Sequence, residues 1–313
     1  MSNNIAYHYT SLDSLYKIVT TKSLLLTDLA GMNDPEEGKY SPEDFLDDLK
    51  KGRDSFLKDE NSIKFFDVII AELEIRKDEF FKLCKMGKKE PFTLALSDKP
   101  DSLQHWERYG NQLKGVCISI DLDRLDDLRS MFPSIFQIRK VLYKSEDISM
   151  QILRDIIKTY NMYSEELNKE GKTLDIDTIK KSCCTQFAVQ YRSMTYFIKK
   201  DFWNEEDEIR VFYDHESWKE SERFFKNVNF PEKFVTAAKN VYETTGLEKP
   251  EYMSFSTIRK CHRLSLRDEW DLGIIPEIKL GTYCRQNKKI LKQFLKEYGL
   301  GNIKITDSKI KIR

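Results

Sequence analysis

The sequence predicts an α+β protein built on a mixed β-sheet and enlarged by helical insertions. Three observations carry this. Short extended runs interleave with helical stretches irregularly, not in the strict alternation of a doubly wound parallel sheet. Two longer stretches, 41–90 and 146–198, hold apolar residues at helical spacing and mark the insertions. No Gly-x-Gly-x-x-Gly follows a strand, and no Gly-x-x-x-x-Gly-Lys-[Ser/Thr] occurs, so neither phosphate loop is present. A Gly-x-Ser-x-Gly elbow is missing as well. With no internal repeat or flexible linker, residues 1–313 are expected to form one domain.

The elements follow in order. Ile5 to Tyr9 is a short extended run, and Thr10 or Ser11 caps the helix Leu12–Thr20, whose stripe is Leu12, Leu15, Tyr16 and Val19. Leu24–Leu26 is a short buried strand. Asn33-Asp-Pro35 and Ser41-Pro-Glu-Asp44 are helix starts, the proline placed where its missing N–H is no loss. Two helices are expected between Glu43 and Lys88, the second with Phe65, Phe66, Ile69, Ile70, Leu73 and Phe80 on its core face. Phe92–Ser97 is a strand, Ser102–Tyr109 a short helix, Val116–Ile120 a strand, Asp121–Met131 helical and Ile135–Tyr143 extended. Two long helices, Asp147–Lys169 and Asp175–Phe197, are parted by Gly171. Strands are expected at Arg210–Tyr213, Ser221–Phe225, Ser265–Arg267, Pro276–Leu280, Ile303–Thr306 and Lys309–Ile312, with a loop at Leu247–Ser254 and a helix at Gln286–Tyr298.

Lys+Arg and Asp+Glu are equal at 52 each among 313 residues, so no net field draws in nucleic acid or an anionic membrane. The N-terminus lacks the basic and apolar regions of a signal peptide, and no apolar run approaches the ~20 residues that span a bilayer. The six cysteines include no Cys-x-x-Cys pair, which points to reduced thiols and a cytoplasmic setting. The four histidines do not supply zinc-ligand spacing, and no metal is predicted.

The chemistry concentrates in Asp201-Phe-Trp-Asn-Glu-Glu-Asp-Glu-Ile-Arg-Val-Phe-Tyr213. Glu206, Glu208 and Arg210 are spaced by two, which places them on one face of an extended backbone. Such a set is either a solvated or ion-paired face, or a site where one carboxylate acts on a substrate while its neighbours tune it. His8, between two tyrosines, is a hydrogen-bonded strand residue or a ligand contact. Trp106 and Tyr109 share a helix face; core packing accounts for Trp106, and His105 is expected to do surface or cap chemistry.

Four segments carry a resemblance. They are Tyr7-His-Tyr-Thr10; Asn33-Asp-Pro-Glu-Glu37; Leu96-Ser97 with Trp106-Glu-Arg-Tyr109 and Lys114-Gly-Val-Cys-Ile-Ser-Ile-Asp121; and Trp203-x-x-Glu206-x-Glu208-x-Arg210. In order and spacing they resemble the bacterial domain-of-unknown-function family twenty-nine seventy-one. That layout is in turn similar, more remotely, to ADP-ribosyltransferases. This second resemblance implies a mostly antiparallel sheet of that type and cleavage of the nicotinamide–ribose bond of NAD. It implies Glu208 as the catalytic acid, Glu206 as the group orienting the acceptor, and His8 with Thr10 holding a ribose. Tyr109, or Trp106 in its place, would stack on nicotinamide. Tyr9, Ser97, Asn33 and Arg210 complete the implied NAD contacts, with Arg210 keeping Glu208 ionised. The role implied is a toxin or effector in bacterial anti-phage defence, with a protein or nucleic-acid acceptor and a partner protein from the same system. Two rival readings stand beside it: a non-catalytic module that senses a nucleotide or a partner, and a metal-dependent nuclease. Binding without turnover, and a His8/Glu208 face shielded by the chain's own side chains, would favour the sensing module.

Overall fold

The computed structural model describes residues 4–29, 39–56, 60–85, 91–126, 136–144, parts of 147–154 and 184–192, 194–215, 250–254 and 257–311. Ten strands run β1 (Ile5–Thr10), β2 (Ser23–Asp28), β3 (Pro91–Ser97), β4 (Val116–Asp121), β5 (Phe136–Lys140), β6 (Glu208–Asp214), β7 (Glu251–Ser254), β8 (Ile258–Ser265), β9 (Glu277–Leu280) and β10 (Lys304–Asp307). Among the described residues the helices include α1 (Leu12–Thr21), α2 (Pro42–Phe56), α3 (Glu60–Ile75), α4 (Lys77–Lys85), α5 (Leu103–Arg108), α6 (Leu122–Asp126), α7 (Arg267–Trp270) and α8 (Lys288–Glu297). The protein is mixed α/β, and its sheet is mostly antiparallel. Among the named strands β9 and β10 pair in parallel and the other pairs are antiparallel.

The chain divides into two compact units. The first, Met1–Asn33 with Lys89–Lys140 and Glu205–Arg313, holds the whole sheet. Its order is β10-β9-β4-β1-β3-β2-β8-β7, with β6 on β3 and β5 on β6. β3 is the hinge of this arrangement. It pairs with β6 along all seven residues, but with β1 only at Tyr7↔Ser97 and with β2 at Thr27↔Thr93 and Asp28↔Phe92. β1 therefore parts from β3 beyond Tyr7 while remaining paired to β4 through Thr10.

Alternation gives this sheet two unlike faces. Ala6, Leu94, Leu96, Ile118, Ile120, Ile209 and Val211 point to one side and pack under Leu15 and Val19 of α1 and Leu291 and Leu295 of α8. The other side carries Tyr7, Tyr9, Ser97, Glu208 and Arg210, and here α5 settles through a small cluster of Tyr9, Trp106, Leu113 and Cys117. Ser11 provides the cap of α1, its Oγ accepting from the Ser14 N–H at 3.1 Å.

A tight loop locks α5 to β4. Asn111, Gln112 and Leu113 all have left-handed φ, at 50, 53 and 63°. Leu113 N–H bonds back to the Trp106 carbonyl, and Gly115 N–H to that of Gly110. A Cβ on Gly115 would lie 2.1 Å from the Thr10 carbonyl oxygen. Gly115→Ala must therefore push loop and β1 apart. The expected cost is about 1–3 kcal/mol, read as a lower urea midpoint with unchanged slope.

The second unit, Asp34–Lys88 with Val141–Asn204, is mostly helical where described, with an isolated bridge between Leu142 and Ile198. Phe45, Leu49, Phe66, Ile69, Leu73, Phe80 and Tyr191 form its core, with Phe65 and Ile70 at the margin. Tyr191 donates to the Tyr40 carbonyl at 2.6 Å and Arg192 Nη1 to that of Leu83 at 2.7 Å. Where two helices were expected before Lys88, three form, α3 and α4 parting at Arg76.

Other expectations need correcting. Leu247–Ser254 is not all loop: β7 occupies Glu251–Ser254, because β8 offers it an antiparallel partner that local composition does not reveal. Arg267 begins α7 and does not end a strand, and 308–311 carries no strand after β10. Ser221–Phe225, most of the two long helices after Asp147, and Asp121–Met131 beyond Asp126 lie outside the described residues.

Candidate functional site

β6 is entered from a 3-10 helix, Asp201–Glu206, and the junction decides the site. Asp207 has φ 39°, a left-handed conformation that breaks the alternation just before Glu208. Its carbonyl accepts from Asp98 N–H at 3.2 Å, which fixes the turn to the end of β3. Glu206, Glu208 and Arg210 therefore do not form the expected single face. Glu206 turns to α5, while Glu208 and Arg210 stay on the strand.

Glu206 is the meeting point. Its carboxylate accepts a short hydrogen bond from the Tyr109 hydroxyl, and Arg108 Nη1 stands 3.9 Å away. Its carbonyl accepts from Ser97 Oγ at 3.1 Å and lies 2.9 Å from His105 Nε2. Lys99 Nζ bridges the Glu205 carbonyl at 3.1 Å and Asp207 Oδ2 at 2.6 Å. Glu206 itself is buried, but Tyr109 remains 36% exposed, so the cluster reaches the surface through the phenol ring.

The rest of α5 holds these groups in place. Tyr9 donates to the Lys99 carbonyl at 2.7 Å and accepts from Ser102 N–H at 3.0 Å. Its ring meets Trp106 edge-on at 5.0 Å and His105 at 5.1 Å. Burial raises the Tyr9 phenol pKa well above its ordinary value, with the nearby Cys117 adding to the shift. Burial likewise lowers that of His105, against the hydrogen bond and charge of Glu206, which raise it.

Asp101 anchors the start of α5. It accepts from Trp106 Nε1 at 2.7 Å, Ser308 Oγ at 2.7 Å and Lys309 N–H at 2.8 Å. Burial alone would raise its pKa, but the three hydrogen bonds together hold the carboxyl below its ordinary value. A pKa lower in the folded than in the unfolded state means that the stabilisation is fully present above the unfolded value of about 3.9 and is lost as pH falls from there through the lower folded value. The stability gap between wild type and Asp101→Asn should thus be constant near neutrality and close below about pH 4. Urea unfolding across that range checks it; a gap unchanged at low pH would contradict it.

Glu208 and Arg210 face each other in a two-pronged pair, Nε to Oε1 at 2.7 Å and Nη2 to Oε2 at 3.0 Å. They are 2% and 0% exposed. Glu208 shares a row with Ser97 and Tyr7 across β6, β3 and β1. His8 does not join that row. It pairs with Ile118, one residue out of step, and belongs to the opposite, apolar face, as does Thr10 opposite Val116. Burial drives the His8 pKa down to about 4, opposed by a hydrogen bond with the Ala95 backbone. The expected meeting of His8 with Glu208 is thereby corrected: the period of two separates them.

Of the residues singled out in the sequence, the structure gathers Tyr9, Ser97, Trp106, Tyr109 and Glu206 in one place. It sets Glu208 and Arg210 apart as a buried pair and sends His8 and Thr10 to the other face, while Asn33 lies outside the described residues. His105, Lys99 and Arg108 were missed. The signal available was their position on and beside the Ser102–Tyr109 helix, with His105 next to Trp106. Among the described residues no three His, Cys, Asp or Glu side chains gather as a metal ion would require, and no helix is long and apolar enough to cross a membrane.

No curated protein and no solved structure matches the chain. The model of one family does, that described as Protein of unknown function (DUF2971), over residues 105–211. The match opens at His105, runs through Trp106 and Tyr109, and includes Glu206, Glu208 and Arg210 before closing at Val211. Over residues 105–211, then, about a third of its length, the chain is similar to the DUF2971 family.

Proposed function

We propose that this chain is a ligand-sensing module whose site is the Glu206–Tyr109–Arg108 cluster, and that its ligand is a nucleotide of the NAD type. The observation behind it is the convergence of a carboxylate, a phenol and a guanidinium at the exposed end of α5. Each suits one part of such a ligand. A carboxylate accepts from ribose hydroxyls, a guanidinium matches phosphate oxygens, and a flat phenol ring stacks on a base or nicotinamide. Sensing is favoured over turnover because Glu208, the carboxylate the resemblance assigns to catalysis, has both oxygens held by a buried Arg210.

A second reading is ADP-ribose transfer from NAD to a protein or nucleic-acid acceptor, in a toxin or defence effector. One feature supports it: Glu206 is a carboxylate touching an aromatic hydroxyl close to the surface. Breaking the nicotinamide–ribose bond builds positive charge on the sugar, which a nearby carboxylate steadies. Glu206 would then take the part the resemblance gives to Glu208.

Calorimetric titration with NAD, together with a nicotinamide-release assay, separates the two. Sensing predicts binding without release, and about tenfold or greater weakening in Glu206→Gln, since a hydrogen bond to a charged group is lost. Release of nicotinamide that Glu206→Gln abolishes would favour transfer. Failure of NAD to bind would overturn both readings.

A further inference from the structure

The charges of this chain balance over its whole length but not along it. From Lys279 to Lys311 there are nine Lys and Arg against two Asp and Glu, in a protein where the two classes are equal. The excess gathers on α8. Lys288, Lys289, Lys292 and Lys296 are all exposed, and by helical geometry they fall within about 100° of the circumference. The apolar stripe beside them, Leu291 and Leu295, is buried in the core under the sheet. Neighbouring segments extend the basic surface. Thr282 Oγ1 donates to the Ile310 carbonyl at 2.8 Å, which sets the exposed Lys309 and Lys311 beside the loop that carries Arg285 into the helix. Lys288 Nζ meets Asp307 Oδ2 at 2.5 Å and joins the start of α8 to the end of β10.

Other helices of the chain are built differently. α1, α2 and α3 each set a lysine three or four residues after an acid, Lys17 with Asp13, Lys51 with Asp48 and Lys64 with Glu60. In α8 the residue four before Lys292 is Lys288, and the residue four before Lys296 is Lys292. Like charges at that spacing repel and weaken a helix. The first turn, where acids are favoured, holds two lysines and no acid. Among the described residues Arg285, Lys289, Lys292, Lys296, Lys309 and Lys311 meet no carboxylate. A surface that gives up helix stability to keep cations together and unneutralised is matched to a polyanion.

We propose that the face formed by α8, the loop at Arg285 and the Lys309–Lys311 segment binds the phosphate backbone of a nucleic acid without reading its sequence. Lys288, Lys292 and Lys296 follow one another at about 6 Å along the helix axis, close enough to serve neighbouring phosphates of one strand. A lysine is a point charge on a flexible stem, suited to phosphate and carrying no base recognition. A protein partner fits this face less well, because the centres of protein interfaces are poor in lysine and rich in aromatic residues. An anionic membrane fits less well too. A helix lying in a membrane buries its apolar stripe there, and that of α8 is already covered by the core of the sheet. The inference is independent of the nucleotide-sensing reading, which concerns Glu206 and α5.

Fluorescence anisotropy tests it, with a labelled DNA duplex and an RNA single strand of about 20 nucleotides, at about 50 and 200 mM salt. One variant carries Lys289→Gln, Lys292→Gln and Lys296→Gln. A control with the same loss of charge carries Lys17→Gln, Lys64→Gln and Lys82→Gln, all exposed and on other helices. Wild type is expected to bind at least one probe, more weakly as salt rises. The α8 variant should lose about tenfold or more at the lower salt, with a slope of log affinity against log salt shallower by about 2–3. The control should stay within about twofold of wild type. The α8 variant should also melt no lower than wild type, since the lysines it loses repel one another. If it does melt lower, Lys292→Gln alone decides: a slope shallower by about one supports the inference and an unchanged slope contradicts it. Wild type binding neither probe at the lower salt, or equal losses in variant and control, would overturn the inference. Binding to phosphatidylserine vesicles but to neither probe would overturn it in favour of a membrane. NAD titrated into the α8 variant should behave as in wild type, so the two readings stand or fall separately.

Discussion

Arg210→Ala is expected to destabilise the protein by about 3–5 kcal/mol, a large part of the total stability of an ordinary domain. The reason lies in what remains. Glu208, 2% exposed, would keep its charge inside the protein without the Arg210 guanidinium that meets both its oxygens. Replacing both members with apolar residues of similar volume, Glu208→Leu with Arg210→Met, should restore most of that loss, because the desolvation of both charges is then avoided. Denaturant unfolding of the single and double variants makes a double-mutant cycle. A pair present for ligand chemistry and not for structure would behave otherwise. The single variant would unfold like wild type and lose only binding.

Trp106→Ala should cost a similar amount, about 3–5 kcal/mol, by a different route. The indole is 0% exposed and meets the Tyr9 ring edge-on at 5.0 Å; its N–H satisfies Asp101 at 2.7 Å. Removing it empties the centre of the small cluster under α5 and takes one donor from Asp101. The helix that carries His105 and Tyr109 would then keep the Tyr9 hydroxyl, its own contacts to Glu205 and Glu206 and the left-handed loop at Asn111–Leu113, but lose its packed centre. Trp106→Ala is therefore expected to lower both the melting temperature and ligand affinity, while Trp106→Phe, which fills most of the space, keeps more of each. Differential scanning calorimetry beside a binding titration checks the pairing. Affinity lost with no change in melting would mean that the indole itself touches ligand.

How far the sequence foretold this is clearest at single residues. Phe92–Ser97 and Val116–Ile120 were legible because apolar and β-branched runs between turn residues seldom do anything else. The helical stripe at Phe66, Ile69 and Leu73 was equally plain. The site was half legible. Tyr109, Ser97 and Glu206 come together as residues of interest, but the geometry around them departs from the simple reading at two points. Spacing by two joins Glu206 to Glu208 only if the backbone between is extended, and Asp207 is left-handed. Aspartate tolerates that conformation better than most residues, and this was the one available hint. In β1, Tyr7, His8, Tyr9 and Thr10 are all polar or amphipathic. Nothing in their order tells which of the two alternating sets faces the core, and the choice falls to pairing with Ile118 and Ser97 in distant strands. β7 was hidden for the same reason, since an edge strand is defined by the partner that β8 supplies.

The sharpest test of the central claim, that the working carboxylate is Glu206 and not Glu208, is a titration of NAD into protein with ¹³C-labelled glutamate side chains. Glu206 and Glu208 would be assigned through Glu206→Gln and Glu208→Gln. The account predicts that the carboxyl resonance of Glu206 moves in step with saturation while that of Glu208, fixed by Arg210, does not. Movement of Glu208 with Glu206 unchanged would contradict it.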